Sequence, residues 1–127
     1  MTASQLIYTR LTASADLAEL VDGRIFPVVV PQGQAFPAVR YQLITRQGET
    51  FRAGCGPDTA QLQVSVYAAS YDALEVVEEA VRVALDGYEE QEADIRCLNA
   101  TDLYEQEMSL FHRAVDYRVT VPAPTVS

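Results

Sequence analysis

Between Thr59 and Gly87 the apolar pattern changes period once, and that switch limits the folds open to the chain. In TAQLQVSVYA, Leu62, Val64, Val66 and Ala68 alternate with Gln61, Gln63 and Ser65. This predicts a strand with one apolar face and one face that is wet or set against a partner. In the following SYDALEVVEEAVRVALDG, Leu74, Val77, Val81, Ala84 and Leu85 recur at helical spacing, with Glu75, Glu78, Glu79 and Arg82 on the remaining surface. Ser70 is placed to cap the helix, Asp72 suits its first turn, and Gly87 is placed to end it. Laying the Leu/Val stripe over the strand stabilises by about 1.5–3 kcal/mol for each large side chain fully buried.

The flanking segments fit the same plan. Ser4–Leu11 reads as a short amphipathic helix capped by Thr2 or Ser4, and Ser14 or Asp16 restarts a helical turn that Gly23 closes. One bent helix is the alternative for the two pieces. Arg24–Pro31 has strand-forming residues between prolines, as an edge or an irregular extended arm would. Strands are predicted over 37–46, with Val39, Tyr41, Leu43 and Thr45 on one face, and over 59–68, 94–104 and 111–121. An irregularity is expected near Asn99. Gln47–Asp58 is glycine-rich loop, Tyr88–Ala93 an acidic connector and Glu105–Leu110 a turn. The expected fold is a single α+β domain over 1–122, with 123–127 as a short exposed tail. Its antiparallel or mixed sheet has about four strands and helices on one face. The order is helix(-helix), arm, strand, strand, helix, strand, strand.

At 127 residues the chain is long enough for a core without a metal or disulfide staple. No apolar run approaches the ~18 residues of a membrane span, and MTASQLIYTRL does not read as a secretory signal. The expectation is synthesis in the cytoplasm, no membrane association, and free thiols at Cys55 and Cys97. Every basic residue is arginine, and 18 carboxylates against nine arginines give a formal charge of −9. The arginines are scattered, which argues against a phosphate-gripping surface. Net charge alone excludes neither a local arginine patch nor a negatively lined passage through which DNA moves without sticking.

Residues that carry chemistry are sparse. There is no dinucleotide fingerprint, phosphate loop or HExxH, and AGCGPD reads as a turn. His112 is the only histidine, and neither it and Asp116 nor the acidic runs at Glu75–Glu79 and Glu89–Glu92 make a catalytic or metal-binding set. No catalytic, cofactor or metal residue is therefore predicted. Seven tyrosines and no tryptophan point instead to protein contacts. Tyr67 lies opposite the apolar face of its strand and fits either an interface or packing beneath an arm. Phe51, among polar and small neighbours, either folds back onto the domain or makes a contact from its loop. Arg113 interrupts the apolar face of the last strand, as a subunit contact or sheet edge would.

Four stretches together carry a family resemblance: LIYTRLTASADLAELVDGRIFP, FPAVRYQL, LQVSVYAASYDALEVVEEAVRVALDG and FHRAVDYRVTV. They resemble the tail-completion or tail-terminator proteins of long-tailed bacteriophages and prophages over nearly the whole chain. The resemblance implies a structural virion protein, made in the host cytoplasm, that assembles as a homohexameric ring on the head-proximal end of the tail tube. Such a ring stops tube polymerisation and meets the tail tube protein on one side and the head–tail connector on the other. Duplex DNA passes through it without specific binding, and no enzyme activity or cofactor is implied. On this view Phe26 in the arm, Gln61, Gln63, Tyr67 and Arg113 are candidates for contacts between copies. Phe51 and the Glu105–Leu110 turn are candidates for axial contacts. A head–tail connector or another minor tail subunit is the nearest alternative; a protein-binding module or a small enzyme with a carboxylate base is the alternative of another kind.

Overall fold

The computed structural model describes residues 2–48 and 58–122. Two helices open the chain, α1 at Ala3–Ala13 and α2 at Ala15–Val21. Thr2 caps α1 through a reciprocal pair: its hydroxyl accepts from the Gln5 backbone while the Gln5 side chain accepts from the Thr2 backbone. Ser14 ends α1 in extended conformation and at once caps α2 by accepting from the Leu17 N–H. The opening is thus two helices sharing one hinge residue.

The strands are β1 (Ile25–Pro27), β2 (Ala38–Gly48), β3 (Asp58–Ala68), β4 (Glu89–Glu90), β5 (Ala93–Glu105) and β6 (Leu110–Val121). They form one mixed sheet in the order β1-β2-β3-β6-β5-β4, parallel only between β1 and β2. The expectation of about four strands is corrected to six among the described residues. The additions are short edges: the arm contributes β1, and the acidic connector contributes β4. Strands of two or three residues are too short to carry a period of their own.

The third helix, α3, spans Tyr71–Leu85. Ser70 caps it by accepting from the Ala73 N–H, and Gly87 follows its end at φ +84, where a side chain would be strained. Leu74, Val77, Val81, Ala84 and Leu85 are buried as the spacing predicts. Glu78, expected on the wet face, is 5% exposed. The helices pack on the sheet face carrying Leu62, Val64, Val66, Ile95, Val115, Tyr117 and Val119, and this layer is the core.

Two bulges break the ladder. One lies in β5 between Cys97 and Asn99, where an irregularity is expected. The other lies in β2, where Leu43 pairs with Leu62 but Thr45 pairs with Gln61. The extra residue, Ile44, moves Thr45 off the face it was expected to share with Leu43 and onto the face of Gln61.

Candidate interface on the uncovered sheet face

The opposite sheet face is the candidate functional surface. Among the described residues no helix lies over it. The register places Arg40 beside Ser65, Gln42 beside Gln63, Gln63 beside Asp116, and Tyr67 beside His112. Because side chains alternate along each strand, the residues that fill the core dictate which ones are left here.

Arg40 organises the centre. Its Nη2 donates to Ser65 Oγ at 2.8 Å and to Gln63 Oε1 at 3.3 Å, and its Nη1 donates to the Val28 carbonyl at 3.1 Å and to Gln42 Oε1. Gln63 passes the row on, its Nε2 donating to Asp116 Oδ1 at 3.4 Å. A line of hydrogen bonds therefore runs across β2, β3 and β6. Such a row orients polar groups at fixed positions, and a partner that matched it would find acceptors and donors already in place.

At one end of this face lies a cleft of about 730 Å³. One wall is the segment after β1, from Val28 to Gln34; the other is the β5–β6 turn, with Glu107 and Met108; Tyr67 and His112 lie between them. The first wall leaves the sheet at Val28, whose φ of +65 is unusual for a β-branched residue. That turn is fixed from both sides: the Val28 N–H donates to the Tyr41 carbonyl at 2.8 Å while the Val28 carbonyl accepts from Arg40. Val28, Val29 and Met108 are each more than half exposed, so the cleft has apolar walls open to solvent.

His112 stacks on Tyr67 with ring centroids 4.3 Å apart. Its Nδ1–H donates to Glu105 at 3.1 Å, which leaves the neutral ring's Nε2 as an acceptor. That atom is buried and has no partner among the described residues. Burial lowers the His112 pKa, against the opposing pull of Glu105.

The predicted contact residues divide into three groups. Gln61, Gln63 and Tyr67 share the uncovered face, and Phe26 joins them, level with Arg40 and half-buried on β1. Phe51 lies outside the described residues. Arg113 lies elsewhere. It is 9% exposed on the helix-packed face and bonded to Asp102, Glu75, Glu78 and Tyr71, on a strand inside the sheet, which corrects its reading as a sheet-edge residue. From the sequence, Ser65 was placed on this face, but Arg40 was not singled out and His112 was set aside. An arginine on a strand between apolar neighbours, opposite a serine, was the available signal for Arg40.

Among the described residues no group of three or more His, Cys, Asp or Glu side chains is placed to hold a metal ion. No helix there is long and apolar enough to cross a membrane.

No curated protein matches the sequence. Among solved structures, a chain from "Virion of native gene transfer agent (GTA) particle" matches with a TM-score of 0.71 and 20% identity over 92% of each chain, which shows a shared fold. The family model described as "Tail completion protein gp17" matches residues 5–122, nearly the whole sequence. The chain therefore belongs to the tail completion protein gp17 family and is a structural protein of the virion tail.

Proposed function

We propose that this chain is the subunit of a ring that caps the head-proximal end of a phage tail tube. Capping stops tube polymerisation and presents the surface to which the head connector joins. Copies meet through the uncovered sheet face and the adjoining arm, with Phe26, Gln61, Gln63 and Tyr67 in the contact. The observation that carries this reading is the pre-ordered polar row through Arg40, Gln63 and Asp116, over which no helix lies among the described residues. Family membership supports a tail structural role, and the sheet face supplies a surface suited to assembly.

The mechanism needs no chemical step. A ring complementary to the last tube ring on one side, and unlike a tube subunit on the other, leaves further tube subunits nothing to bind. The excess of carboxylates suits a central passage that does not retain duplex DNA. We place six copies in the ring and Phe51 on an axial surface.

Native mass spectrometry and tube-capping assays test this. Phe26→Ala with Tyr67→Ala should lower ring formation, whereas Phe51→Ala should leave rings intact and weaken capping. Unaltered ring formation in the double variant would remove the sheet face from the contact.

A further inference from the structure

We propose that the groove between α2 and α3 docks a basic, apolar-faced helix of another protein. This groove lies in the helix layer, away from the uncovered sheet face. The proposal stands independently of ring formation and of capping.

The groove encloses about 370 Å³. Its apolar lining is Leu20 from α2 with Val76, Ala80 and Val83 from α3. On α3 these residues fall at i, i+4 and i+7, a second stripe beside the one that fills the core. Leu20 and Ala80 pack against the edge of the core, but core packing does not account for the two valines: Val76 is 52% exposed and Val83 is 75% exposed. Local helix stability does not account for it either, since valine is a poorer helix former than the glutamate or arginine found at neighbouring exposed positions. Two exposed valines two helical turns apart fit the spacing at which a docked helix anchors its own side chains.

The rim supplies the sign of the partner. Asp16, Glu19 and Glu79 surround the apolar strip, and none makes an ion pair or side-chain hydrogen bond among the described residues. Three carboxylates without an ion-pair partner among the described residues, set around an apolar groove, complement lysines or arginines flanking an apolar stripe.

Among its described residues a second copy of this chain does not offer such a helix. The only basic residues on the three helices are Arg10 and Arg82. Arg10 lies over the Tyr88 ring and donates to the Ala84 carbonyl, while Arg82 faces Glu78 at 3.5 Å. A two-fold contact of the groove with itself would set carboxylates against carboxylates.

The test uses a short synthetic helix of leucine and lysine, with leucines at i, i+3, i+4 and i+7, measured by fluorescence anisotropy on the full chain. Val76→Ser with Val83→Ser should weaken binding about tenfold. Glu19→Gln with Glu79→Gln should weaken it several-fold and flatten its salt dependence. Glu90→Gln with Glu92→Gln, the same charge change outside the groove, should leave it unchanged. Failure of the peptide to bind, equal loss from the outside pair, or no loss from the valine pair would each overturn the proposal. So would dissociation of a self-assembled form by Val83→Ser alone, which would make a second copy the occupant.

Discussion

Arg113 and Asp102 sit directly opposite one another on β6 and β5, and Arg113 Nε donates to Asp102 Oδ1 at 2.6 Å. From the other side of the guanidinium, Nη1 reaches Glu78 at 3.3 Å and Nη2 reaches Glu75 at 3.1 Å. One arginine thus ties α3 to the two strands beneath it, and its pKa is raised by Asp102 first and then by Glu75. Arg113→Ala would leave the buried Glu78 without this partner and should cost about 3 kcal/mol. Asp102→Asn, at a half-exposed carboxylate, should cost about 1 kcal/mol or less. Urea midpoints with an unchanged m-value provide the measurement.

The same cluster sets an acid limit. Hydrogen bonds from Arg113 hold Asp102 and Glu75 below their usual carboxylate pKa values. A carboxylate shifted down on folding contributes its stability in full above the unfolded pKa and loses it as pH falls through the folded one. Stability should therefore drop below about pH 4. Arg113→Ala should flatten that drop in a denaturant series across pH.

His112 acts at higher pH. Burial lowers its pKa, so between the folded value and about 6.5 the unfolded chain binds the extra proton. Stability should decline as pH falls from about 7 towards 5, a range where the carboxylates remain ionised. His112→Phe, which keeps a ring against Tyr67, should remove this slope. An unchanged slope between these pH values would place its source elsewhere.

Tyr117 is fully buried and its hydroxyl has no hydrogen-bond partner among the described residues. Burial pushes its pKa up. Removing an unsatisfied buried hydroxyl while keeping the ring should raise stability, and Tyr117→Phe is expected to gain about 1 kcal/mol. A thermal melt shifted upwards by a few degrees is the expected result.

Val81 and Val83 lie two residues apart on α3 and differ completely in setting: Val81 is fully buried and Val83 is 75% exposed. Val81→Asp should abolish the cooperative melt, since it forces a charge into the apolar layer. Val83→Asp should stay within about 0.5 kcal/mol of the parent protein. A circular dichroism melt of each variant distinguishes them.

The two periods between Thr59 and Gly87 were legible because each persists long enough to separate one face from the other. The bulge near Asn99 was legible from broken alternation. Ile44 gave no such warning, because a bulge inside a strand-forming run leaves composition unchanged. Glu78 read as solvent-facing for a related reason: its partner Arg113 lies 35 residues away in sequence. Arg113 itself stood out correctly as an anomaly on an apolar face. Its carboxylate partners come from two other elements, and local spacing does not reveal such a meeting. The cleft by His112 is likewise built from three separated segments, and only the register of β3 on β6 brings Tyr67 over His112.

The most direct test of the capping role is electron microscopy of purified tail tubes incubated with gold-labelled protein. The account predicts label at the head-proximal end alone, with tubes so labelled no longer extending when tube protein is added. Label along the tube wall or at the opposite end, or continued growth from labelled ends, would contradict it.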